Sequence, residues 1–492
     1  MPGRANRVTA SRRAIPATVA SRIFASIPFV LLGWCLVIHS LADTIGSTET
    51  GLKGVPGVTV VGGGGGLPAA DWQNRIFLLL LLLTTLSLAI VNRSRLNMRR
   101  LWSSPPIVAL AAFMLFAVAS ITWAYSQEAA FNRVCLQIMV LLPLILPFAQ
   151  VSPVTDTVRT AYLWYAFAIF ANVIAVQIQA PALNADGSIF AYFGLFSFKQ
   201  GLGQCASVAI LLSFYELLFR GWRRCLPFIV IPASVYLIFA SQSKGALAFA
   251  LVAPVLAGLA IIVSSKLRIS LLIVLAAIPA AFFAASMVAN SDLTGRISYM
   301  FYGDSTLSNR TVIWDFVQGQ YLQRPWFGWG FHSFWQVGPD APSVAQAPYW
   351  VKHIIGSHSG YLDVKVETGR IGYTLFIIFI LATLFALDRV RRRDPVRAWI
   401  LLSLAFYVII TNLIETVWLG TNEALWLLFV LVVAETTRYP AAVSEPPFAK
   451  NRGSRARTSG YVGRRALPGG AAARIMSRKL IPGGAAGRGR PL

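Results

Sequence analysis

Acidic residues are scarce in this chain, with 19 Asp+Glu against 43 Lys+Arg over 492 residues and a formal net charge of +24. Charge of either sign is thin, at 13% of residues, where soluble globular domains carry about a quarter. That shortage excludes an ordinary soluble domain. The 56% of hydrophobic residues and a mean hydropathy of +0.63 point instead to a polytopic membrane protein. Only four cysteines occur, Cys35, Cys135, Cys205 and Cys225, each within or at the edge of an apolar run. No disulfide framework and no CxxC metal site can be built from them. Four histidines complete the short list, three of them inside one stretch.

What is abundant is apolar sequence in lengths that fit a bilayer, which takes roughly 20 residues per helical span. Twelve segments qualify: 23–42, 76–92, 107–124, 134–150, 161–180, 201–219, 226–240, 245–263, 268–288, 371–387, 398–414 and 420–435. The fold expected is all-α, a polytopic bundle of about twelve transmembrane helices with one large extracytoplasmic loop that carries interfacial helices. It divides into a basic cytoplasmic arm (1–22), nine spans (23–288), the loop (289–370), three spans (371–435) and a basic tail (436–492). Ser40-Leu41-Ala42 resembles a cleavage site, but a long run behind a 1–22 arm fits an uncleaved first span better.

A charge of +24 on a soluble chain would suggest nucleic acid. Here its distribution is a topology signal. With both termini inside, 32 of the 43 Lys+Arg fall on the cytoplasmic side and 11 outside. The loop 289–370 is then expected on the extracytoplasmic side. The external loop 43–75 holds Gly62–Gly66 and reads as a flexible spacer. The tail, with Leu467-Pro-Gly-Gly-Ala-Ala echoed from Ile481, has too few large apolar residues to build a core.

Two short segments stand out at outer helix mouths. Phe196-Ser197-Phe198-Lys199-Gln200-Gly201-Leu202-Gly203 opens the sixth span, placing a cation and backbone N–H groups where an anion fits. Ser241-Gln242-Ser243-Lys244-Gly245 separates the seventh and eighth spans. A lysine at that depth is a functional candidate by default, the alternative being a snorkelling helix end.

The stretch 290–372 is the one long interval inside the membrane region that is not mostly apolar. Ser308 or Asn309 would cap a helix of about four turns with an apolar face of Val312, Ile313, Phe316, Val317 and Tyr321, stopping at Pro325. Arg310 falls in its first turn, against the helix dipole, which predicts an anionic partner elsewhere. Arg324-Pro325-Trp326-Phe327-Gly328-Trp329-Gly330-Phe331-His332 alternates flat rings with glycine, suiting a bilayer interface or sugar faces. A second helix, from about Ser359 to Thr368, would follow His358. Glu367, nine residues beyond His358, falls on the opposite face and is expected to cap or pair toward the bundle. Histidines at 332, 353 and 358 lack metal-ligand spacing, and no metal or other cofactor is expected.

Taken together, Ser308-Asn309-Arg310-Thr311-Val312-Ile313-Trp314, Arg324 to Gly330, His358-Ser359-Gly360-Tyr361-Leu362 and Glu367-Thr368-Gly369 resemble the O-antigen ligase and polymerase superfamily. Phe198-Lys199-Gln200 and Ser241 to Gly245 resemble its segments at outer span ends. In much of the family an arginine stands at the place of Lys244 and an asparagine at that of Gln200; lysine keeps the charge and loses the bidentate fork. The resemblance covers about 190–375.

It implies a membrane glycosyltransferase that joins glycans carried on undecaprenyl diphosphate, without metal and with inversion at C1. Lys244, Arg310 and Lys199 would meet the diphosphate, His358 would act as base, and Tyr361, Trp329 and His332 would touch acceptor or glycan. Glu367 is expected to give structural support. Expected partners are the lipid-linked donor, a glycan acceptor, the bilayer, and polysaccharide export and chain-length proteins, with no nucleic acid. Polymerisation of repeat units into exopolysaccharide or O-antigen is the leading expectation. The sister reaction, ligation of finished glycan to lipid A core, comes next. A transporter would need ionisable groups deep in several spans, and a non-enzymatic export scaffold would not need His358.

Overall fold

The computed structural model describes residues 18–38, 72–150, 156–179, 181–183, 189–277 and 310–439. Outside them lie residues 1–17 of the basic arm, the Gly62–Gly66 spacer, the end of the span expected at 268–288, the Ser308–Asn309 cap and the tail from 440.

Helices dominate because the apolar runs are long and their breaks carry stop and start chemistry. Proline opens the helices Pro105–Ser120, Pro227–Ala240 and Pro395–Thr411, where its missing N–H costs nothing. Side-chain caps start others, with Ser126 accepting from the Ala129 amide and Asp156 from the Arg159 amide. Among the described residues, seven helices are long and apolar enough to cross a membrane: Val19–Ile38, Trp72–Val91, Gln127–Ala149, Thr157–Ile178, Trp222–Ala240, Lys244–Leu267 and Gly360–Arg393. Pro105–Ser120, Pro395–Thr411 and Ala424–Thr436 are apolar but shorter. One departure from an all-α reading is a small antiparallel pair, Ala182–Leu183 against Ile189–Ala191.

Lipid is as apolar as leucine, so these helices gain most by close approach through small residues. The 244–267 helix does this with Ala246, Ala250, Ala253, Ala257 and Ala260, all buried, and it packs extensively on the 395–411 helix. Trp399 Nε1–H closes that seam by donating to the Pro254 carbonyl at 3.0 Å. Elsewhere Trp418, Trp426, Phe376, Phe379 and Phe429 form a contiguous aromatic core.

Charge is also paired at the opposite end of the bundle. There Arg397 lies between Asp156 (2.7 Å) and Glu435 (2.7 Å), with the Tyr215 hydroxyl at 3.1 Å. Arg159 grips Glu216 with two nitrogens, and Thr157 donates to Glu435. The cluster ties together the ends of the helices 157–178, 199–216, 395–411 and 424–436. It occupies helix termini and not mid-span positions, so it reads as a clamp. Replacing Arg397 by Ala leaves the buried Glu435 with only Thr157 and Arg438 as partners and is expected to cost about 3 kcal/mol, the low end for a broken buried pair. The thermal midpoint of the solubilised protein checks this.

Candidate functional site

Away from that clamp, at the far end of the 199–216 helix and at two further helices, three N-termini each begin with a cation and have no acid in the first turn: Lys199–Glu216, Lys244–Leu267 and Arg310–Gln323. Such an arrangement runs against the helix dipole and calls for negative charge nearby. The first two termini are brought side by side by Gly203, where a Cβ would lie 2.6 Å from that of Ser243. Ser207 Oγ–H donates to the Ala246 carbonyl at 3.0 Å and holds the pair. The segment leading to Lys199 is tied to the end of the 227–240 helix, Tyr192 N–H donating to the Ala240 carbonyl at 3.0 Å.

The negative charge is Glu415, in the turn between the 395–411 and 424–436 helices. Its Oε1 accepts from Arg310 Nη2 at 2.7 Å, and its Oε2 lies 3.5 Å from His358 Nδ1. Burial lowers the Lys199 ammonium pKa, Glu415 opposes that, and Lys244 adds to it, so all three charges share one neighbourhood. The partner predicted for Arg310 therefore exists, and it also faces His358. Sequence reasoning passed over Glu415. The available signal was a carboxylate in a polar turn, Asn412 to Gly420, wedged between two apolar runs. Lys244 itself is exposed at the mouth of its helix.

His358 has a left-handed backbone (φ 53°) and a side chain 42% exposed, held by a tight turn beneath it. Ser357 Oγ–H donates to the Ser359 carbonyl at 2.8 Å and accepts from the Ser359 amide at 3.1 Å. Asp363, buried one turn into the helix, accepts from the Ser357 amide (3.0 Å), Trp335 Nε1 (2.8 Å) and Thr416 Oγ1. The Gly360 amide donates to the carbonyls of Asn412 and Glu415, and a Cβ there would strike Asn412. Trp314 Nε1–H reaches the Ser357 carbonyl at 3.0 Å and fastens the 310–323 helix to the same turn. That helix buries Ile313, Val317 and Tyr321 as expected, whereas Val312 is exposed.

The helix expected after His358 and the span expected from 371 are one element, Gly360–Arg393, broken at Gly369 (φ 63°, ψ −167°). The break frees backbone groups that must be satisfied. Segment 325–330 does so: Trp329 and Gly330 amides donate to the carbonyls of Val366 (3.1 Å) and Glu367 (2.8 Å). In return the Arg370 and Ile371 amides donate to the carbonyls of Pro325 (2.8 Å) and Trp326 (3.2 Å). Gly328 (φ 69°) and Gly369 face each other, each where a Cβ would lie 2.4 Å from an opposing carbonyl oxygen. The aromatic-glycine run is thus a main-chain joint first.

The residues expected near the acceptor or glycan are held in the same framework. Trp329 is buried, its ring covered by the Arg324 guanidinium at 4.2 Å and its Nε1–H donated to the Gln320 carbonyl, so it packs the loop and offers no open face to sugar. His332 is anchored, its amide donating to Glu367 Oε2 at 3.0 Å. Burial first, then the Arg133 charge, push its imidazole down to about 3, so it stays neutral at physiological pH. Tyr361 is half-buried, its hydroxyl donating to the Ile409 carbonyl at 3.1 Å. Glu367 supports the loop through His332, as a structural role implies. The structure therefore assembles His358 and Arg310 around Glu415 with Lys199 and Lys244 close by, and leaves Trp329, His332 and Tyr361 as framework.

Residues 228–377 match the family model described as O-antigen ligase. The match takes in Lys244, Arg310 and His358, while Lys199 and Glu415 lie beyond its ends. It bears out the resemblance read from the motifs. No curated protein matches the chain.

Proposed function

With 228–377 an O-antigen ligase segment in a chain of membrane-crossing helices, we propose that this protein transfers glycan at the extracytoplasmic membrane face, polymerising repeat units carried on undecaprenyl diphosphate. The observation that carries the reading is Glu415 shared between Arg310 (2.7 Å) and His358 (3.5 Å), beside two further cation-bearing helix N-termini. Glu415 holds Nδ1 of His358 as the donor nitrogen, which leaves Nε2 as the base. The acceptor hydroxyl oxygen forms a bond to C1 of the donor sugar, and its proton passes to Nε2. The bond from C1 to the diphosphate oxygen breaks, and its electron pair departs with the diphosphate. Lys244, Lys199 and the remaining donors of Arg310 meet the charge that develops there. A single displacement of this kind inverts C1 and needs neither nucleotide nor metal.

The family description favours a second reading, ligation of finished glycan onto a lipid acceptor. Incubation of the purified protein with one lipid-linked repeat unit alone separates the two. Chain growth without a lipid acceptor is the expected result. Transfer that begins only when lipid A core is added would overturn polymerisation and keep the chemistry.

A further inference from the structure

At the far end of the helical segment that starts beside His358, about 12 Å along residues 360–368, lies a hollow of about 490 Å³ lined by Trp123, Arg324, Pro325, Trp326, Phe327 and Gly328. Its walls are almost wholly carbon. Trp326 and Phe327 are more than half exposed. Trp123 Nε1–H donates to the Phe327 carbonyl at 3.2 Å, and the two rings meet edge to face at 5.3 Å. Neither side chain takes part in the main-chain joint at Gly369, so their placement serves the surface.

Two features select an occupant. The hollow continues into an exposed apolar strip: Trp123 contacts Phe116 (5.6 Å between rings), Phe116 packs against Gly372, and Leu115, Val118 and Ile371 beside them are exposed. Its rim carries two exposed guanidiniums, Arg324 and, over the Trp326 ring at 4.8 Å, Arg370. A sugar would find almost no hydrogen-bond partners on such walls. An acyl chain fills them, and the rim cations suit a phosphate at headgroup level.

We infer that this hollow binds one anionic glycerophospholipid, with an acyl chain against Trp123, Trp326 and Phe327 and its phosphate beside Arg324 and Arg370. The site is separate from the Glu415 cluster and does not rest on the glycosyl-transfer reading.

Native mass spectrometry of the full-length chain in detergent, with phosphatidylglycerol and phosphatidylcholine of identical chains, tests it. Wild type is expected to retain phosphatidylglycerol preferentially. Arg370→Gln should weaken it about fivefold and weaken phosphatidylcholine less, because choline already offsets that lipid's phosphate charge. The double change Trp326→Ala and Phe327→Ala should weaken both lipids, roughly tenfold, with the thermal midpoint confirming a folded protein. In membranes, a phosphatidylglycerol with a photoreactive acyl chain should label 116–123 and 326–327. Equal retention of the two lipids, an unaffected double variant, labelling elsewhere, or capture of a free oligosaccharide or polyprenyl phosphate instead would each overturn the assignment. His358→Ala should retain the lipid whether or not it is active, which keeps this result independent of the catalytic one.

Discussion

His358→Ala is expected to lower glycan assembly by roughly 10²–10⁴-fold while the protein accumulates normally in the membrane, because a positioned base contributes about that much. The imidazole is partly exposed and carries no core packing, so its removal should not unfold the turn. Turnover of a purified lipid-linked substrate, read beside membrane abundance, checks it. Unchanged polysaccharide at normal abundance would reject catalysis and favour an export scaffold. Glu415→Gln is the sharper companion: it keeps the shape, removes the charge from Arg310 and weakens the hold on Nδ1. Its rate should fall in kcat more than in KM, since orientation of the base is spent at the transition state. A merely structural role for Glu415 would lower abundance and leave the rate per molecule unchanged.

Gly328→Ala and Gly369→Ala should each be strongly destabilising, by about 3 kcal/mol or more. A side chain at positive φ costs about 1–2 kcal/mol, and here each new Cβ also meets a carbonyl oxygen at 2.4 Å, with backbone on both sides and nothing that can swing away. Gly338 is the control, since it too has positive φ (141°) but has nothing within 4 Å of its Cβ position. Gly338→Ala should therefore cost only the conformational part. Thermal unfolding of the three variants in one detergent decides the matter. If Gly328→Ala melts with Gly338→Ala, the glycine pair is not a close-packed joint.

Much of this was readable from residue order. Apolar run length pointed to membrane-crossing helices, seven of which stand among the described residues, and the cations at 199, 244 and 310 drew notice at the starts of helices. The unsatisfied position of Arg310 even implied its partner. The identity of that partner was hidden because Glu415 is 105 residues away, in a turn with no motif of its own, and proximity across such a separation is a property of packing. Trp329 misled for a related reason: an indole between glycines looks the same in sequence whether its face meets sugar or the Arg324 guanidinium. Gly328 and Gly369 were visible as glycines, but their mutual approach required the break in the 360–393 helix to be known. Arg397 reads as one more basic residue near a helix start until Asp156 and Glu435 are seen around it.

The joint at Gly369 is made by peptide groups alone, so it is indifferent to what the neighbouring residues carry on their outer faces. Trp326 and Phe327 can be exchanged for other shapes without loosening the seat of the helix that begins beside His358. A scaffold built this way separates the part that must not vary from the part that meets its surroundings. Changes at that rim would leave the placement of His358 beside Glu415 undisturbed.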